Sequence, residues 1–347
     1  MSALVTLAGD GTFHPATTPS EVEDPPLAAL TRLRSLLGEA PEEQIATRMY
    51  LPAALGTERV DHLLPATLTL LAETSGDLAA HGWRIGTGAG VDWLRATELR
   101  DRMLGAARIA LLGDVGPLEV TVLGPATLAA ATYLPGGERT LADRGALREL
   151  PQLLAGGLAE HLAAVREHVP GAAVRVLIRE SAAAALVRGM LPTASGYQRH
   201  PALAPGDLGR LWQDLLEHLL PAASLRAEEV TLGLSLADVP DAAGLLEAAR
   251  TAGFGALALA PEQVGSLTGA GRRAWEMLAG LRDAGLGIDL LLSPGRIEST
   301  LERVADTWRE LGYGPRDLAG FVLRAHRPST AADPAAAPGV ASLLAEH

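Results

Sequence analysis

The 347-residue chain contains no cysteine, no lysine and no asparagine, and only 3% of it is aromatic. Without cysteine there is no disulfide, no thiolate metal ligand and no thiol nucleophile. Without lysine, arginine fills every basic role. Acidic residues outnumber basic ones 41 to 29, a net charge of −12. That balance argues against a nucleic-acid partner, because neutralising phosphates takes an excess of cations. No apolar run approaches the roughly 18–20 residues of a membrane span. The opening Met1-Ser2-Ala3-Leu4 lacks a basic region followed by an apolar stretch, so no secretory signal and a cytoplasmic protein are expected.

What is present is alternation. Short apolar runs read as buried strands at Leu4–Ala8, Ile45–Leu51, Leu118–Gly124, Val174–Ile178, Val230–Leu236, Ala256–Ala260, Leu286–Leu292 and Gly320–Ala325. Helical periodicity fills Val60–Ala80, Asp92–Leu112, Arg144–His168, Asp207–Leu225, Asp241–Ala252, Arg272–Ala284 and Ile297–Leu311. Asp143, Asp207 and Asp241 stand where helices need caps; Gly253, Gly285 and Gly312 stand where they stop. Eight strands alternating with helices predict an α/β fold, a closed (β/α)8 TIM barrel, as one domain over residues 1–327. An open doubly wound sheet is the rival. Its glycine-rich fingerprint is only weakly mimicked by Gly86-Thr-Gly-Ala-Gly90, which reads as a turn. The order of the first 45 residues, rich in Pro and Thr, is open. Residues 328–347 form a low-complexity tail.

In such a barrel the reacting groups come from the C-terminal strand ends and the loops after them. That rule nominates Gly11, Thr12 and His14, then Arg48 and Tyr50, then Gly124 to Thr127, then Arg179, Glu180 and Ser181. Further round lie Ser235 and Asp238, Glu262, Ser293 and Arg296, and finally Arg324, His326 and Arg327. The set is short of paired carboxylates, and Glu180 beside Arg179 reads as an ion-paired acid. The remaining histidines, including His161 and His168 at a spacing of seven, read as surface or cap residues. If Arg48, Arg179, Arg296 and Arg324 line one mouth, they make a pocket for a small anionic ligand bearing carboxylate or phosphate. The same four also read as solvated loop arginines.

The stretches Gly124-Pro-Ala-Thr-Leu-Ala-Ala-Ala-Thr-Tyr-Leu-Pro-Gly-Gly-Glu-Arg-Thr-Leu-Ala-Asp143, Leu191-Pro-Thr-Ala-Ser-Gly-Tyr197 and Ala237-Asp-Val-Pro240 resemble segments of the cobalamin-independent methionine synthase family, in its short, barrel-only form. The resemblance runs from about Leu7 to Arg327. It implies a barrel shared with uroporphyrinogen decarboxylase and a role in methionine biosynthesis, by methyl transfer to the thiol of homocysteine. In that family a zinc ion held by a His-x-Cys pair, a later Glu and a final Cys keeps the thiol ionised. Here the pair falls on Gly233 and Ser235, the acid near Ala260 with Glu262 two residues on, and the last ligand on His326. The family's Asp-Glu-Pro turn reads Arg179-Glu180-Ser181, and its opening Gly-Ser becomes Gly11-Thr12. Zinc-dependent transfer is therefore not expected, and no cofactor is. The expected ligand contacts are Gly11, Thr12, Arg48, Arg179, Glu180, Ser235, Arg296, Arg324 and His326. Two alternatives stay open: a metal-free enzyme on a carboxylated substrate, as in uroporphyrinogen decarboxylase, and a methyltransferase with a metal site built on His326, Glu262 and Asp238.

Overall fold

Runs of Val, Ile, Leu and Ala too short for helices pair into one parallel sheet that closes on itself. The structure is a computed structural model that describes residues 5–13, 24–38, 45–56, 60–86, 88–293, 295–314, 317 and 320–325. The sheet strands are β1 (Val5–Gly9), β2 (Ile45–Thr47), β3 (Met49–Leu51), β6 (Pro117–Leu123), β7 (Ala173–Glu180), β8 (Val230–Leu234), β9 (Ala256–Leu259), β10 (Gly287–Leu292) and β11 (Phe321–Ala325). Their order is β2-β1-β11-β10-β9-β8-β7-β6-β3, all parallel. Strands β2 and β3 are halves of one strand broken at Arg48, whose amide still donates to the Leu7 carbonyl at 2.8 Å. The first half pairs with β1 and the second with β6, so the ring closes as a (β/α)8 barrel.

The outer ring comprises α1 (Pro25–Leu37), α2 (Leu63–Leu68), α3 (Val91–Ala110), α4 (Pro125–Ala131), α5 (Arg144–His168), α6 (Ala183–Val187), α7 (Pro205–Ala223), α8 (Ala242–Ala252), α9 (Gly269–Asp283) and α10 (Ile297–Glu310). Helix α7 shows why they dock. Leu208, Leu211, Trp212, Leu215 and Leu219 recur every three or four residues and all are buried. Each such side chain contributes roughly 1.5–3 kcal/mol by leaving water. Asp143 and Asp241 cap α5 and α8 through their carboxylates. Asp207 lies inside α7 instead, its carboxylate accepting from the Ala204 amide at 3.2 Å.

Two expectations need correction. Val60–Ala80 is not one helix: α2 ends at Leu68, and a hairpin of β4 (Gly76–Ala79) and β5 (Gly82–Ile85) follows. Gly82 at φ 137 supplies the turn, a conformation costly for any other residue. The 70–72 backbone also passes so close to Gly157 of α5 that a β-carbon there would meet the Leu70 carbonyl. Within the first 45 residues, whose order was open, lies helix α1, with Asp24 capping and Pro25 at its first position. The second correction is the charged barrel interior, taken up below. Among the described residues, no helix is long and apolar enough to cross a membrane. The tail at 328–347 lies outside the described residues.

Candidate functional site

The C-terminal ends of β7 to β10 surround a cavity of about 280 Å³. Small residues open it: Gly233, Ala258 and Ala260 stand where larger side chains would fill the mouth. Leu177 and Leu291 contribute apolar wall, while Ser181, Ser235, Ser293 and Gln263 add neutral polar groups. Arg179 is the one charged side chain among the described residues that line it.

Arg179 is held from the β1 side. Its Nη1 donates to the Asp10 carbonyl at 3.2 Å and lies 3.6 Å from the Asp10 carboxylate. Asp10 is buried and also accepts from the Thr12 amide at 3.0 Å and the Thr12 hydroxyl at 2.6 Å. The Tyr50 hydroxyl closes the turn by donating to the Thr12 carbonyl at 3.0 Å. Burial, then the Asp10 charge, pushes the Tyr50 phenol well above its ordinary range, so it stays a neutral donor. Gly11, at φ 85, lets the chain turn here, and its α-carbon sits against Thr121. Gly11 and Thr12 thus shape a turn around Asp10.

The four arginines do not share a mouth. Arg324 is fully buried inside the barrel, where its guanidinium donates to Glu119 at 2.5 and 2.8 Å, Asp289 at 2.7 Å and the Gly9 carbonyl at 2.9 Å. Arg48 joins this cluster, donating to Glu119 at 3.1 Å and lying 3.8 Å from Asp289. Two cations and two anions satisfy one another in the floor of the barrel. Burial alone would raise the Glu119 pKa, but Arg324 and Arg48 outweigh it and hold the group below its ordinary range. Asp289 is pushed up by burial despite the same arginines. Arg296 sits in the loop after β10, exposed, at the start of α10. His326 lies outside the described residues, as do His14 and Arg327.

Glu180 also departs from expectation, because neighbours on a strand face opposite ways. Arg179 turns into the mouth; Glu180 turns outward. Its carboxylate accepts from the amides of Ala126 and Thr127 at 3.0 and 2.7 Å, the Thr127 hydroxyl at 2.6 Å and the Trp212 indole at 2.9 Å. It ties β7 to α4 and α7 and is not salt-bridged to Arg179. Burial pushes its pKa up, opposed by those four donors.

The zinc of the resembled family does not fit the residues present. Gly233, Ser235 and Ala260 do line the cavity, but they offer one hydroxyl among them. Glu262 faces α10, accepting from the Thr300 hydroxyl at 2.8 Å with Arg303 at 3.6 Å. Asp238 pairs with Arg188 at 3.4 Å on the surface. Among the described residues, no three His, Asp or Glu side chains gather as a metal would require. The residues that sequence reasoning missed are Asp10 and Gln263; Asp10 directly follows the first strand, which was a usable signal. A second, smaller cavity of about 40 Å³ lies among Asp61, Arg100, Thr121 and His161. Burial, with the Arg100 charge, pulls the His161 imidazole down to about 4.

Comparison with known proteins adds the fold. A B12-independent methionine synthase from Shewanella sp. W3-18-1, solved with selenomethionine, superposes with a TM-score of 0.51 at 11% identity, covering 96% of this chain and 91% of that one. A GH26C protein from Muricauda sp. MAR_2010_75 gives 0.36 at 10% identity over 88% and 83% of the two chains. A dihydropteroate synthase from Anaplasma phagocytophilum gives 0.33 at 13% identity over 99% and 100%. No protein-family model and no curated protein matches the sequence. The chain is a TIM barrel similar in fold to the methionine synthase.

Proposed function

We propose that this chain is a methionine synthase-like barrel that has lost metal-thiolate chemistry and binds a small carboxylated or otherwise anionic ligand on Arg179. One observation carries the reading: among the described residues, the mouth cavity holds a single charged side chain, a partly exposed arginine oriented by Asp10. An arginine braced this way is pre-organised for an oxyanion. The serines at 181, 235 and 293 add hydroxyls for further ligand oxygens. No carboxylate or imidazole among the described lining residues stands ready to move a proton, so the reading favours binding over acid–base turnover. Placement of Arg48 and Arg324 in the barrel floor also weakens the decarboxylase-like alternative, which asked for an arginine-rich mouth.

The test is a thermal-shift screen of small carboxylates and phosphorylated metabolites, followed by calorimetry. Losing a charge-assisted pair in Arg179→Ala should weaken the best ligand roughly ten- to a hundredfold. An unchanged affinity in that variant, or turnover of homocysteine by the purified chain, would overturn the proposal.

A further inference from the structure

Among the described residues seven large hydrophobic side chains are exposed, and five of them fall on α3 or within five residues of its end: Val91, Leu94, Ile109, Leu112 and Val115, each more than half exposed. Apolar side chains concentrated in this way on a soluble protein mark an interaction surface more often than chance. Val91, Leu94, Glu98, Gly105 and Ile109 recur along α3 at spacings of three, four and seven, which is one stripe of a helix. The stripe runs on into Leu112. Its two ends are apolar and its middle is charged, with Glu98, Asp101 and Arg102 all exposed.

We propose that this face joins two copies of the chain through an antiparallel pair of α3 helices about a two-fold axis. The pattern favours a second copy because it complements itself when reversed. Antiparallel pairing sets Val91 against the partner's Leu112, Leu94 against the partner's Ile109 and Glu98 against the partner's Gly105. Apolar ends then cover apolar ends, and the glycine gives the acidic side chain room. The partner's Arg102 comes within one turn of Glu98, about 4.5 Å along the axis at 1.5 Å per residue. A parallel pairing would instead set Glu98 on Glu98 and Arg102 on Arg102, and like charges in register repel. Within its own chain Arg102 lies 3.5 Å from Asp24, both about half exposed, so it can serve both acids. Closed two-fold symmetry is the usual outcome for a patch that matches itself.

Light scattering on the full-length chain from about 1 to about 100 µM should show a mass twice that of one chain, falling on dilution. Leu94→Glu and Ile109→Glu should each weaken the dimer roughly a hundredfold with the circular dichroism unchanged, because symmetry removes every anchor twice. The absence of native cysteine permits a second readout that does not depend on those variants. A mixture of Glu98→Cys and Gly105→Cys chains should cross-link on mild oxidation, and open space around Gly105 admits the new side chain. Glu98→Cys alone should not, since its two copies would sit about 10 Å apart along the axis, beyond disulfide reach. A chain monomeric throughout, whether the tail or another protein covers the face, overturns the proposal. So does a dimer that survives both substitutions, or Glu98→Cys cross-linking alone as fast as the mixture.

Discussion

The Arg324 guanidinium and the Glu119 carboxylate meet as a two-pronged pair inside the barrel, 2.5 and 2.8 Å apart, although β11 and β6 are not neighbouring strands. The pair spans the barrel's width, with Asp289 and Arg48 completing a neutral set of four. Desolvating these charges is costly, and their mutual attraction offsets that cost only while all the partners are present.

Arg324→Met should therefore destabilise the fold by about 3–5 kcal/mol, because it leaves two buried anions with only Arg48 at ion-pair distance. Glu119→Gln should cost less, since the amide keeps one acceptor for Arg324. Urea melts of both single variants and the double variant form a cycle, and a coupling energy above about 1 kcal/mol is expected. Strict additivity would mean that the two groups do not act as a pair.

Glu180 predicts a pH signature. Burial raises its folded pKa, so in the native state it holds its proton to a higher pH than the unfolded chain, where it titrates near about 4.3. Its contribution is therefore full below that value and is lost as pH rises through the raised folded value. In Glu180→Gln that loss disappears while the donors around it lose part of their acceptor. The variant should be less stable than wild type at acid pH by about 1–3 kcal/mol, with the gap narrowing as pH rises through the titration. Urea melts of both proteins between about pH 4 and pH 7 test this; a gap that widens with pH contradicts it.

The barrel was legible because short runs such as Leu118–Gly124 and Val230–Leu236 place Val and Leu at every second position, with polar or small residues between them, and because loop glycines and capping aspartates marked the helix ends. Alternation along β7 was legible too: Arg179 and Glu180 are adjacent, so only one of them could face the mouth. Arg324 was not. Its partner Glu119 is 205 residues away, and periodicity reports which face a residue takes without naming what waits there. A strand-end arginine thus read as a ligand contact when it closes the floor. Helix α1 escaped because its signals, Asp24 and Pro25, follow a Pro- and Thr-rich stretch that masks its start.

Gly11 is expected to tolerate no side chain. It sits at φ 85, and a β-carbon there would run into the Thr121 side chain. Gly11→Ala should destabilise the fold by about 1–3 kcal/mol. It should also shift the Asp10 carbonyl that holds Arg179, so anion-induced stabilisation falls by more than the stability change explains. A variant with lower stability but an undiminished ligand shift would separate the turn from the binding site.

Metal removal gives the sharpest check on lost thiolate chemistry. Gly233 and Ala260 carry no donor at all, Ser235 brings only a neutral hydroxyl, and Glu262 is already engaged by Thr300 and Arg303. A tight zinc site needs three or four strong ligands, so the purified chain should carry far less than one zinc per chain by elemental analysis. Treatment with EDTA should leave both the melting temperature and any anion-induced shift unchanged, because a resident structural metal would otherwise stabilise the fold by mass action. Stoichiometric zinc, or a melting temperature that drops with chelator and recovers with zinc, would mean that residues beyond those described complete a site and that the thiol chemistry survives.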